Sequence, residues 1–141
     1  MQQKVIIDTN VYIDLFNKGM HKDLVNPFQN ITYLAYPVLH ELWMGIKNRH
    51  DLRLLTAWRD RFIRLDRFII PNIAAHKLIG EACRILKSKG KLNPTHPKHY
   101  NDIVIAALAH QIGAAVMTQN RRDFKSIQTV INFEMNALMR L

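Results

Sequence analysis

Four acids stand where elements change over in this chain of 141 residues: Asp8, Glu41, Asp102 and Asp123. Asp8 ends the apolar run Val5-Ile6-Ile7, and Thr9 and Asn10 follow it. Glu41 lies in the first turns of a helix begun by Pro37. Asp102 opens the apolar segment Ile103-Val104-Ile105-Ala106-Ala107-Leu108-Ala109, and Asp123 follows Val116-Met117-Thr118 by the polar turn Gln119-Asn120-Arg121-Arg122. A carboxylate at the carboxyl end of a buried strand sits where open α/β sheets place their ligand crevice. Crowding or dehydrating it is costly unless a cation or a hydrogen-bond network meets it.

If the strands ending near Asp8, Glu41 and Asp123 are parallel neighbours, one crevice collects all four acids. Gathered there they repel one another and need a cation among them. With no Cys or paired His nearby, the donors are all oxygen, which suits Mg²⁺ or Mn²⁺ rather than Zn²⁺. A single acid in a helix's first turn is ordinarily a cap or a dipole partner, which would explain Glu41 and Asp102 separately. It does not explain four acids at equivalent ends. Thr9, Asn10, Thr118 and Asn120 either cap helices or orient the carboxylates and water beside them.

Twenty Lys and Arg against eleven Asp and Glu give a net charge of +9. A basic domain of this size commonly meets polyanions, nucleic acid above all. An acidic pocket in a basic surface suits a metal-dependent enzyme acting on phosphodiesters. Arg121, Arg122 and Lys125 stand beside the acids. Lys87, Lys89 and Lys91 end a long helix, either as further phosphate contacts or as charges favoured by its dipole. Arg59, Arg61, Arg64 and Arg67 read as a solvated face or a dimer rim.

The positioning elements alternate. A strand at Lys4–Ile7 precedes a helix stopped by Lys18-Gly19, and a short helical piece spans 21–28. A second strand covers Ile31–Tyr36, and Val38, Leu39, Leu42, Trp43 and Ile46 form a helical stripe after it. Asp51 reads as the cap of a helix with Leu52, Leu55, Trp58 and Phe62 on one side. Phe68–Ile70 is a short strand, Asn72–Lys89 a helix closed by Gly90, Lys91–His99 a loop, and Asn101–Ile112 an apolar helix. Ala114–Thr118 is a buried strand, Thr129–Asn132 an edge strand, and the tail from Phe133 a short helix. The pattern predicts one α/β domain over residues 1–141, a three-layer α/β/α sandwich around a mostly parallel sheet. An all-α arrangement is the alternative, because the strands are short. The hydrophobic content of 48% fits an ordinary globular core. Trp43 and Trp58 read as core or interface residues, and the single Cys83 as a packing residue in a reducing compartment. Lys4 and Asp8 interrupt the only early apolar run, so no signal peptide is expected. The stretch Ile103–Asn120 reads as helix then strand rather than a membrane span. The expected location is cytoplasmic.

Four segments in this order resemble the PIN domain, the nuclease fold of VapC-type toxins. They are Val5-Ile6-Ile7-Asp8-Thr9-Asn10, then His40-Glu41-Leu42 with Gly45, then Asn101-Asp102-Ile103-Val104-Ile105-Ala106-Ala107, and Thr118-Gln119-Asn120-Arg121-Arg122-Asp123-Phe124. The last, Thr-x-Asn-x-x-Asp-Phe, is the most specific. Tyr36-Pro37 stand where the family commonly has Ser or Thr. The resemblance implies a Mg²⁺- or Mn²⁺-dependent endoribonuclease with Asp8, Glu41, Asp102 and Asp123 as catalytic and metal-binding acids. It also implies a VapB-like antitoxin partner, a homodimer, tRNA or rRNA as substrate, and 5′-phosphate products. The alternative is a catalytically silent RNA-binding or partner-binding module. An aspartyl phosphatase of the haloacid-dehalogenase kind would want an acid where Asn10 stands. A zinc protease fails at His40-Glu41, because Met44 occupies the place of the second His.

Overall fold

The structure is a computed structural model that describes residues 2–20, 22–25 and 29–138. The chain runs β1 (Gln3–Ile7), α1 (Thr9–Lys18), a 3₁₀ turn (Lys22–Val25), β2 (Asn30–Ala35), α2 (Tyr36–Met44) and α3 (Arg49–Arg64). It continues through β3 (Phe68–Ile69), α4 (Ile73–Ser88), α5 (Pro97–Ile112), β4 (Ala115–Thr118), α6 (Arg121–Ile127) and β5 (Glu134–Ala137). The strands form one sheet in the order β3-β2-β1-β4-β5, and every pairing is parallel. Val5 stands between Thr32 of β2 and Ala115 of β4, so the strand that carries Asp8 is the centre of the sheet. Val5, Ile6, Ile7 and all four residues of β4 are buried. Consecutive rather than alternate burial requires helices on both faces, which is the three-layer sandwich.

The helices begin and end where local chemistry dictates. Asp8 caps α1, and Gly19, at φ 66°, closes it in the left-handed region that Gly tolerates best. Asn72 caps α4 through the Ala75 amide at 2.8 Å. Ala75, Ile79, Ala82 and Leu86 then turn one stripe of α4 into the core.

Several expectations are corrected. Asn48, not Asp51, caps α3: its Oδ1 accepts from Asp51 N at 2.8 Å while its Nδ2 donates to Asp51 Oδ2. The expected edge strand at Thr129–Asn132 and helix from Phe133 are reversed. Val130 and Ile131 donate their amides back to Ile127, winding the end of α6, and Ile131 is buried beneath it. The edge strand is β5, in register with β4 from Ala115↔Glu134 to Thr118↔Ala137. Mostly exposed edge positions leave β5 without the alternation that reveals a strand. Of the short helix expected over 21–28, residues 22–25 form the 3₁₀ turn, and the rest lie outside the described residues. The loop expected at Lys91–His99 ends early, because Pro97 starts α5 with His96 as its cap. Among the described residues no helix is long and apolar enough to cross a membrane.

Trp58 serves the core as expected, meeting the rings of Tyr12 and Phe62 edge-on at 4.8 Å. Trp43 is half-buried with the Arg59 guanidinium 5.4 Å over its ring. Tyr12 is fully buried, and its hydroxyl has no hydrogen-bond partner among the described residues. Burying a hydroxyl unpaired is unfavourable, so Tyr12→Phe is expected to leave stability unchanged or raise it by about 1 kcal/mol. Urea melts of the two proteins check this; a loss of comparable size would mean that the hydroxyl is bonded.

Candidate active site

The acids gather at the carboxyl edge of the sheet, and all four belong to one chain of hydrogen bonds. Asp8 is fully buried. Its amide still pairs with Met117 O at 2.8 Å, so the carboxylate is fixed to both β1 and β4. Oδ1 accepts from Thr9 N at 2.8 Å and Oδ2 accepts from the Thr118 hydroxyl at 2.7 Å. The Thr118 oxygen in turn accepts the Asn120 amide at 2.9 Å. The Asn120 side chain then donates to Asp102 Oδ2 at 3.2 Å and to Asp123 Oδ2 at 2.9 Å. On the opposite side the Thr9 hydroxyl donates to Glu41 Oε1 at 3.2 Å. Thr9, Thr118 and Asn120 therefore orient carboxylates. Asn10 is placed differently: its Oδ1 accepts from Gln119 N at 3.4 Å and ties the turn after β4 to α1.

Capping explains only part of this. Asp8 is a true cap and Asp123 lies in the first turn of α6. Neither α2 nor α5 has an acid in its first turn, so Glu41 and Asp102 are not dipole partners. Asp102 comes one turn later in α5 than the sequence suggested. It is fully buried, a position that favours the protonated form. Burial, then the nearby Asp8 charge, pushes its carboxyl up to about 7 against the pull of Lys98. Glu41 is raised too, chiefly by burial, with Asp8 adding to the effect and Lys98 opposing it.

Lys98 is the residue that sequence reasoning missed. On α5 it stands four residues before Asp102 and donates to Oδ1 at 2.9 Å. Burial disfavours its charge, but Asp8, Asp102 and Glu41 outweigh that and hold the ammonium above its ordinary range. Its signal was available: Pro97 as a first helical residue puts Lys98 and Asp102 on one helix face. His99 also joins the rim, with Nε2 3.7 Å from Asp123 Oδ2.

The four acids offer only oxygen donors, and one positive group already sits among them, so the chemistry suits a hard divalent cation. Among the described residues no three acids, His or Cys form a ready-made metal-ligating group; the Lys98 ammonium and the Asn120 amide stand between the acids. Arg121, Arg122 and Lys125 are exposed on the helix that carries Asp123. Lys87, Lys89 and Lys91 are exposed around the end of α4. They lead to the rim by way of the following loop, whose Asn93 amide donates to His99 Nδ1 at 3.2 Å. An open groove of about 710 Å³, lined by Ile13, Phe16, Leu42, Ile46, Leu54 and Trp58, shares Glu41 with the pocket.

An all-parallel α/β sandwich with a cluster of four acids at the carboxyl edge is the frame of a PIN-like domain. Residues 5–129 match the family model described as PIN domain, and the chain belongs to that family. No curated protein matches it in sequence. Among solved structures it is similar to VapBC-1 from nontypeable Haemophilus influenzae, with a TM-score of 0.71 and 19% identity over 96% of this chain and 98% of that one. It is also similar to VapBC2 from Rickettsia felis bound to a promoter DNA fragment, with a TM-score of 0.68 and 23% identity over 96% and 99% of the chains. A third is VapBC-5 from Mycobacterium tuberculosis, a member of the VapBC family of toxin-antitoxin systems, with a TM-score of 0.60 and 18% identity over 96% and 98%. At these identities the likeness is one of fold.

Proposed function

We propose that the protein is a Mg²⁺- or Mn²⁺-dependent endoribonuclease, the VapC-like toxin of a toxin–antitoxin pair, cutting tRNA or rRNA in the cytoplasm. The observation that carries this reading is the hydrogen-bonded chain from Glu41 through Asp8 to Asp102 and Asp123. It gathers four carboxylates from distant segments into a pocket where, without a cation, they oppose one another.

Asp8, Asp102 and Asp123 would hold the ion, and Glu41 would either join them through water or orient the attacking water. A bound divalent ion supplies positive charge to the scissile phosphate and acidifies water. Thr9, Thr118 and Asn120 keep the carboxylates aimed, so little reorganisation accompanies the reaction. Water attacks phosphorus in line, the bond to the 3′ oxygen breaks, and that oxygen takes up a proton. The products are a 5′-phosphate and a 3′-hydroxyl. The 2′-hydroxyl need not take part, so preference for RNA belongs to the binding surface. Arg121, Arg122 and Lys125, with Lys87, Lys89 and Lys91 farther out, meet backbone phosphates there.

The partner is a VapB-like antitoxin, and the groove beside Glu41, with exposed Phe16, Leu54 and nearby Met44, offers it apolar surface. A homodimer completes the reading. The Leu52–Phe62 face does not support it, because Leu55 and Phe62 are spent on the core.

End-labelled tRNA and rRNA fragments incubated with Mg²⁺ or Mn²⁺ test the proposal. Discrete cuts carrying 5′-phosphates, abolished by EDTA, are the expected result. Tight RNA and ion binding without cleavage of any fragment would replace the nuclease with the silent binding module.

A further inference from the structure

We propose that Lys98 is the pocket's resident counter-cation and the group a divalent ion must displace, so that this lysine sets how much ion the protein needs. The inference rests on the reading of the acids as an ion site. It starts from the occupancy of the two fully buried carboxylates. Both oxygens of Asp8 are engaged, by Thr9 N and the Thr118 hydroxyl. Both oxygens of Asp102 are engaged as well, Oδ2 by Asn120 and Oδ1 by Lys98.

Of these four donors, three are neutral. A neutral N–H or O–H can share its carboxylate with a cation, because each carboxylate oxygen accepts more than one bond. An ammonium shares only at the cost of repulsion between its charge and the ion's. An ion seated on Asp102 would stand beside the Lys98 Nζ, and two positive charges against one fully buried carboxylate repel. Lys98 is therefore the one donor that must leave.

It is also able to leave. Asp102 has a relative side-chain exposure of 0% and Lys98 of 36%, so the carboxylate is fixed inside while the ammonium reaches in from the rim. The lysine stem is flexible and its head carries three rotatable donors. Its backbone, by contrast, is held: Pro97 begins the helix and the His96 ring accepts the Lys98 amide at 3.2 Å. Ion uptake is thus an exchange of one charge for two at a fixed pair of buried acids.

Calorimetric titration of Mn²⁺ into the full chain, freed of metal beforehand, tests this with no reference to cleavage. Lys98→Met and Lys98→Gln are each expected to bind Mn²⁺ about tenfold more tightly than the parent. The Gln variant retains a donor toward Asp102, should Met weaken the fold. Lys98→Arg keeps the charge and is expected to keep the parental Kd. Lys77→Met, which removes an exposed charge on α4, controls for the change in net charge. In EDTA the two uncharged variants are expected to melt below the parent, and Mn²⁺ to raise their Tm by more than it raises the parent's. Parental binding with equal or weaker binding by the uncharged variants would overturn the role of Lys98 and leave the ion site standing. Absence of Mn²⁺ uptake by every form would overturn both.

Discussion

Replacement of Asp8 by Asn is expected to cut RNA cleavage at least about a thousandfold, the equivalent of roughly 4 kcal/mol at the transition state. The same change is expected to leave the metal-free protein as stable as the parent or more so. The two halves follow from one geometry. Asp8 lies at the centre of the hydrogen-bonded chain, and its charge acts on both Asp102 and Glu41. An Asn there offers no negative charge to an ion. It still accepts from Thr9 N as a cap, a role in which Asn equals Asp. Its amide meets the Thr118 hydroxyl, which must turn, so one hydrogen bond worth about 1 kcal/mol is at risk. Against that loss, removing the charge relieves repulsion on two partly or fully buried carboxyls. Thermal melts in EDTA beside cleavage assays separate the effects. A large fall in Tm accompanying the lost activity would assign the loss to unfolding, and Asp8 would then be a structural acid.

That Asp8 was visible in the sequence, and Lys98 was not, has a physical basis. An apolar run that stops at an acid announces a buried strand feeding a crevice, and Val5-Ile6-Ile7-Asp8 does so within four letters. The acids at 41 and 123 were legible through their relation to strand ends, which the parallel order β2-β1-β4 realises, and Asp102 through its place at the head of an apolar helical segment. Lys98 was hidden by a helix boundary. Two prolines and a glycine made the segment before Tyr100 look irregular, although Pro97 is a favoured first helical residue. Moving the start of α5 back to Pro97 turns a loop lysine into one that faces Asp102 across a helical turn. The same shift takes Asp102 out of the first turn and removes the simplest structural account of it. The strand at 134–137 failed for another reason. An edge strand that buries little has no hydrophobic period to reveal it, and its pairing with β4 is a matter of main-chain bonds.

The metal-free protein is expected to lose stability as pH rises from about 4 to 7, by roughly 4 kcal/mol in total from Asp102 alone. The carboxyl of Asp102 stands near 3.8 in an unfolded chain and is pushed to about 7 in the fold, mainly by burial. Between those values the native state keeps a proton that the unfolded state has released, so stability falls with each rise in pH and levels off above 7. Below the unfolded value both states are protonated and the contribution is whole. Glu41 is raised as well and works in the same direction. Lys98 is raised from a value already far above this window, so it stays charged throughout and adds no slope there. Asp102→Asn should flatten the profile, and denaturant melts in EDTA between pH 5 and 8 read the difference directly. Parallel curves for parent and variant would remove Asp102 as the source. An excess of Mg²⁺ should also flatten the parental curve, because an ion that binds only ionised Asp102 stabilises the fold most where the proton is absent. The destabilised acid and the ion that relieves it are then two faces of one linkage, in which the strain stored at neutral pH is what makes the pocket take up a cation.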